Sequence, residues 1–219
     1  ITHPLTRTLA LHATEQHRAL LASIGATHWA DPRAYPPPAA RRRVASDERT
    51  RAGTVAVFPG AGVALKRWSP AHFGELVRRL RERGHPVVVI GSADLAPLAD
   101  EIVADTGARN ACGRFDLMEL AVYLESCAVL VSNDSAPVHV AAAMGTPVVA
   151  ITRPNVAMEF AAVGPGHRQC RVAACARPCE GFNPELRSTT VAVCRCIQAI
   201  TVEHVLAEVV DVLDGGARG

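Results

Sequence analysis

Two short loops carry the residue types that could do chemistry. The first is Pro59-Gly60-Ala61-Gly62, followed by Lys66-Arg67-Trp68. Two glycines after an apolar run let backbone N–H groups approach an anion closely. A lysine a few residues on can add a point charge to a phosphate. The Gly-Lys-Ser/Thr ending of a Walker loop is absent, so a tight turn with an exposed lysine is the other reading. The second loop is Asn133-Asp134-Ser135-Ala136-Pro137-Val138-His139. Here Asp134 or Ser135 can cap a following helix, and the amino end of that helix offers N–H groups and a positive dipole to an anion. Ser135 can donate through its hydroxyl, and His139 lies within the first turn. The plainer alternative is a capped helix with a locally bonded histidine.

Those loops need a frame that brings them together. From Thr54 onward, short apolar runs alternate with longer helical ones. Strands are expected at 55–58, 87–90, 128–132 and 148–152. Helices are expected from Ser69, a good N-cap followed by Pro70, to about Arg83, with Gly84 as the stop; over 98–105; from the cap Asp116 to about Ser126; over 138–144, closed by Gly145; and over 202–213. Continuous apolar strands alternating with helices imply a parallel sheet covered on both faces. The fold class is therefore α/β, a doubly wound, Rossmann-like parallel sheet. Such sheets bind ligands beyond the carboxyl ends of their strands, so both loops should open on one edge.

The first 50 residues differ. Residues 14–24 can form a short amphipathic helix with Leu20, Leu21 and Ile24 on its apolar face, and Gly25 ends it. Pro36-Pro37-Pro38 and Arg41-Arg42-Arg43 read as a solvated linker. The division expected is 1–50, a remnant of a preceding domain with its linker, and 51–219, the ligand-binding domain. The chain opens on Ile1, as a piece of a longer protein would.

Composition sets limits. The formal net charge is +2 over 219 residues. That argues against a dedicated nucleic-acid binder. No apolar run reaches a membrane span; the longest, 140–151, is broken by Gly145 and Pro147. Seven cysteines, two of them (Cys112 and Cys127) in core-like segments, argue against a secreted disulfide framework and favour a reducing cytosol. Cys175, Cys179, Cys194 and Cys196 are weak candidates for a structural metal site, beside reduced thiols and a disulfide as the other readings. Trp68 reads as packing rather than a base-stacking platform, and His72 and His85 as surface positions.

The two loops together carry a resemblance. Residues 57–69, with Pro-Gly-Ala-Gly and Lys-Arg-Trp-Ser, and residues 132–147, Ser-Asn-Asp-Ser-Ala-Pro-Val-His-Val-Ala-Ala-Ala-Met-Gly-Thr-Pro, are similar to the signature stretches of glycosyltransferase family 9, which includes the bacterial lipopolysaccharide heptosyltransferases. The resemblance runs from about residue 9 onward. It implies the C-terminal half of a GT-B fold, the half that holds a nucleoside-diphosphate sugar, with an acceptor domain and its Asp general base lying upstream. Gly60, Ala61, Gly62, Lys66, Asp134, Ser135 and Ala136 would cradle the diphosphate, and His139 would sit at the sugar-phosphate end. Lys66 and His139 would stabilise the leaving diphosphate, with no metal and no cofactor needed.

The donor implied is ADP-heptose-like, and the acceptor is a lipopolysaccharide core or similar glycolipid. The location implied is cytoplasmic, peripheral to the inner membrane. Arg153-Pro154-Asn155 is expected to edge the sugar pocket, and Glu159 and 164–167 resemble a loop bordering the donor. The sequence departs from the family at Ala136, where Gly is usual, and at Leu95, where a Glu is usual. A non-catalytic nucleotide-sugar-binding module and another GT-B enzyme, such as a nucleotide-sugar epimerase, are the alternative functions.

Overall fold

A computed structural model describes residues 13–23, 25–28, 30, 32–47, 53–154, 162–173 and 194–215. Six parallel strands form one sheet: β1 (Val55–Phe58), β2 (Val87–Val89), β3 (Arg109–Asn110), β4 (Val129–Asn133), β5 (Val148–Ile151) and β6 (Arg168–Cys170). Their order is β3-β2-β1-β4-β5-β6. The order reverses between β1 and β4, which pair directly, Val55 beside Val129 and Phe58 beside Ser132. In a doubly wound sheet this reversal opens the crevice where ligands bind.

Both faces of the sheet are covered, as the unbroken apolar strands require. Val55, Val57, Val129, Val131, Val149 and Ile151 face one core, packed by α3 (Pro70–Glu82), α4 (Ala96–Val103) and α8 (Val202–Leu213). Ala56, Val88, Leu130, Val148 and Ala150 face the other, packed by α2 (Pro38–Asp47), α5 (Leu117–Glu125) and α6 (Ala136–Ala143). The period-two alternation of strand side chains explains this split.

Local signals set the helix ends. The Ser69 side chain accepts from the His72 N–H, with Pro70 just inside the helix. Asp116 and Glu119 form a reciprocal capping box on α5. Gly84 and Gly145 take φ of +85° and +81°, a conformation that a side chain would disfavour, and so stop α3 and α6.

Several expectations need correction. The Pro-Arg stretch is not a solvated linker. Pro38 opens helix α2, whose Ala40 and Val44 are buried against α5. Two of its arginines are partnered: Arg41 with Glu125, and Arg43 with Asp116 and Glu119. Proline at the first helical position is well tolerated, because its missing N–H would be unpaired there anyway. Helix α1 (Ala13–Ala22) forms, but Leu20 and Leu21 stay 47% and 42% exposed. Strands β3 and β6 at the sheet edges were not expected, and α6 begins two residues earlier than its apolar run suggests. His72 is half-buried, its ring centroid 4.9 Å from that of Trp68, and His85 is half-buried as well.

Candidate functional site

The two loops do meet, beyond the carboxyl ends of β1 and β4. One buried side chain holds them together. Asn133, the last residue of β4, donates from Nδ2 to the carbonyls of Pro59 (2.7 Å) and Gly60 (3.3 Å). Its Oδ1 accepts from the backbone N–H of Trp68 at 3.0 Å. The amide therefore serves both the start and the end of the first loop. An asparagine suits this, since it carries a donor and an acceptor on one planar group.

The loop between those anchors is braced further. Arg67 forks onto the Ala61 carbonyl with Nε at 3.2 Å and Nη2 at 3.0 Å. Trp68 is buried, and its indole N–H donates to the Ile200 carbonyl at 2.8 Å. Its ring meets Phe73 edge-on. The packing reading of Trp68 therefore holds, and the indole does not present a stacking face. Gln198 ties α7 (Arg195–Gln198) to the Arg67 carbonyl at 2.8 Å.

The two glycines differ in their reasons. A Cβ on Gly60 would lie 2.7 Å from Leu95 Cδ1 and 2.8 Å from the Phe58 ring, so packing favours glycine there. Gly62 is exposed, and a Cβ would meet nothing within 4 Å. The short helical turn Ala64–Lys66 follows, and Leu65 buries beneath it. That turn aims Lys66 at the second loop. Lys66 Nζ lies 2.7 Å from Asp134 Oδ2, with side-chain exposures of 31% and 11%.

Asp134 and Ser135 do not cap α6 in the way expected. Ser135 occupies the cap position without a side-chain hydrogen bond to the helix. Its hydroxyl turns back to the Asn133 carbonyl at 3.1 Å, where Ser132 also donates. Asp134 is engaged by Lys66 instead. Helix α6 thus starts without a side-chain cap, with exposed Ala136 at its head and exposed His139 one turn along. An uncapped helix start leaves its orphan N–H groups to solvent or to a ligand.

The remaining site expectations divide. Arg153 and Pro154 follow β5, beside the same edge, and Thr152 is buried with its Oγ1 unpartnered among the described residues. Asn155 and Glu159 lie outside the described residues. His167 directly precedes β6, which runs parallel to β5, so it sits at the opposite edge of the sheet from the two loops. It therefore does not border the mouth. Of the metal candidates, Cys175 and Cys179 lie outside the described residues, and Cys194 is buried and Cys196 half-buried. Among the described residues, no three or more His, Cys, Asp and Glu side chains gather where a metal could be held. Burial pushes the thiols of Cys127 and Cys170 up to about 12, and that of Cys112 up to about 11, aided by Asp100 and Asp94. These are inert thiols rather than nucleophiles.

Sequence reasoning passed over Asn133 and Leu95 as structural elements of the site. For Asn133 the signal was present, a polar residue ending an otherwise apolar strand. Nothing local indicated that Leu95 covers both Gly60 and Gly91, where a Cβ would come within 2.7 Å and 2.8 Å of its Cδ1.

Fold and mouth together define a doubly wound α/β domain with a crevice at its switch point, where Lys66 and Asp134 meet beside the start of α6. The model of "Glycosyltransferase family 9 (heptosyltransferase)" matches residues 5–186, and the chain belongs to that family. It is 36% identical over 104 residues to lipopolysaccharide heptosyltransferase 2 of Escherichia coli K12, covering 44% of this chain and 30% of that protein. Among solved structures, it is similar to a family 9 glycosyltransferase from Veillonella parvula, with TM-score 0.79 at 21% identity, covering 96% of this chain and 62% of that one. It is also similar to the E. coli ADP-heptose lipopolysaccharide heptosyltransferase II, with TM-score 0.69 at 24% identity, covering 88% of this chain and 56% of that one. The chain thus spans less than two thirds of the length of these relatives.

Proposed function

We propose that this chain is the donor-binding half of a heptosyltransferase-like glycosyltransferase. The observation that carries the proposal is the meeting of Lys66, the 59–62 loop and the start of α6 at the β1–β4 switch point, in a family 9 chain. The donor is a nucleoside-diphosphate sugar, ADP-heptose-like, and the acceptor is a lipopolysaccharide-type glycolipid. The bond from the anomeric carbon to the diphosphate breaks as the acceptor oxygen attacks from the opposite face. Negative charge then grows on the departing phosphate oxygen.

Lys66 and the N–H groups at the head of α6 are placed to stabilise that charge, as an oxyanion site does. Lys66 exchanges its Asp134 partner for phosphate oxygens when the donor enters. His139 lies along α6, one turn from Ala136, at the sugar-phosphate end. The acceptor proton is taken by a base in the other half of the protein. The donor-binding unit includes α2, since Ala40 and Val44 complete its second core. The working place is the cytoplasmic face of the inner membrane, with the protein peripheral to it.

Calorimetric titration with ADP, UDP and GDP tests this reading, on the parent chain and on Lys66→Ala and His139→Ala. Saturable binding of one nucleotide, weakened in the variants, supports it. If neither the folded chain nor a longer protein carrying it binds any of the three, the reading is wrong.

A further inference from the structure

The peptide between Ala61 and Gly62 is held by its oxygen alone. Arg67 forks onto the Ala61 carbonyl through Nε at 3.2 Å and Nη2 at 3.0 Å. A trans peptide is planar, so its C=O and its N–H point in opposite directions. Holding the Ala61 oxygen on Arg67 therefore turns the Gly62 N–H away from the guanidinium. That N–H has no hydrogen-bond partner among the described residues. The same device acts just before it, where Asn133 Nδ2 holds the Pro59 and Gly60 carbonyls.

Arg67 is fixed at its root as well as at its tip. Its backbone N–H donates to the Ala64 carbonyl at 2.9 Å, and its own carbonyl accepts from Gln198 Nε2 at 2.8 Å. Its neighbours Leu65 and Trp68 are buried. The guanidinium is exposed, but it extends from an anchored backbone. Among the described residues no acid pairs with it, so the Ala61 carbonyl is the group it serves. Lys66, one residue earlier, meets Asp134 of the second loop instead. The two consecutive cations thus do different work.

Gly62 itself points to a ligand. Its φ lies outside the left-handed region, and a Cβ there would meet nothing within 4 Å. Neither backbone nor packing calls for glycine, which costs conformational entropy on folding. A group that closes on the Gly62 N–H supplies the reason, because an amide without a side chain can be approached closely.

We propose that Arg67 is a positioning residue, an inference that rests on the donor-site reading above. By holding the Ala61 carbonyl it aims the Gly62 N–H at a phosphate oxygen of the nucleoside diphosphate. The test is a double-mutant cycle on the whole chain, using whichever of ADP, UDP and GDP the parent binds most tightly. Arg67→Met and Gly62→Ala should each weaken binding by about tenfold. The double variant should lose no more than either single one, since both act on one hydrogen bond. Arg67→Lys keeps the charge but cannot fork, so it should stay weak. Gly62→Ala should unfold in urea no earlier than the parent, which separates its effect from misfolding. Amide NMR supplies the readout without ligand: Arg67→Met should move the Gly62 amide and leave those of β4 and α6 in place. If the two single losses multiply, or if Arg67→Lys binds like the parent, Arg67 acts as a charge and not through Gly62, and the inference is overturned. Parent-like affinity in all the variants overturns it too and leaves the donor reading standing. No nucleotide binding by the parent overturns both.

Discussion

The Asn133 side chain and the Trp68 backbone are joined across 65 residues of sequence by a buried hydrogen bond of 3.0 Å. The same amide also holds the carbonyls of Pro59 and Gly60. Asn133→Ala therefore removes the acceptor of the Trp68 N–H and the donor to two carbonyls, those of Pro59 and Gly60. Each such buried group costs about 1–3 kcal/mol, so a loss of about 3 kcal/mol or more is expected in urea unfolding. Asn133→Asp keeps the acceptor for Trp68 but sets a carboxylate against two carbonyls, and should be at least as damaging. If both variants unfold like the parent, Asn133 does not hold the mouth together.

How much of this was legible beforehand depended on the kind of signal. The four central strands are apolar runs buried on both faces, so hydropathy marks them. Strands β3 and β6 contain Arg109-Asn110 and Arg168-Gln169-Cys170, edge positions whose polar side chains leave no apolar run to find. Proline misled for a different reason. Pro38 reads as a breaker until its place at the start of α2 is known, whereas Pro70 reads as a helix start because Ser69 marks the cap before it. The two loops were legible because Gly, Lys, Asp and Ser fall directly after apolar strands. Their coupling through Asn133 and the lid that Leu95 forms over Gly60 were not, since both depend on the sheet order and on contacts across long stretches of chain.

Helix α2 gives a separate test of domain extent. Val44 is 7% exposed and packs beneath α5, whereas Arg43 reaches its acidic partners at the surface. Val44→Ala removes two buried methyl groups and should cost about 1.5–2 kcal/mol. Arg43→Ala should cost less than about 1 kcal/mol, because exposed ion pairs contribute little. Both are read from the midpoint of urea unfolding. Equal, negligible effects would mean that α2 is not part of the folded unit.

The buried thiols predict an alkaline limit to stability. Cys127 and Cys170 ionise near 9.0 when unfolded and at about 12 in the fold, because burial disfavours the thiolate. Between those values the unfolded chain has released protons that the native chain keeps, so unfolding is favoured as pH rises. Stability should be insensitive to these groups below about pH 9 and fall by about 1.4 kcal/mol per pH unit for each thiol above it. Native protein at about pH 8 should resist iodoacetamide at both positions, while urea-unfolded protein reacts. Rapid labelling of Cys127 or Cys170 in the native state would show that these thiols are not shielded.

Lys66 and Asp134 link binding to stability. Their 2.7 Å contact joins a lysine 31% exposed to a buried carboxylate, 11% exposed. Lys66→Ala leaves that carboxylate without its cation and should cost about 1–3 kcal/mol of folding stability. The same substitution removes a positive charge from the crevice, and should weaken nucleoside-diphosphate binding by about tenfold to a hundredfold. Asp134→Asn keeps the side-chain shape while releasing Lys66 from its charged partner and removing a negative charge that opposes a diphosphate. Affinity in that variant should hold or rise, and it should still fall with added salt, whereas the Lys66→Ala variant should respond to salt more weakly than the parent. Calorimetry at two ionic strengths decides the matter. If Asp134→Asn lowers affinity as far as Lys66→Ala does, the carboxylate is needed to position the lysine, and the exchange of partners on donor entry is not how this site works.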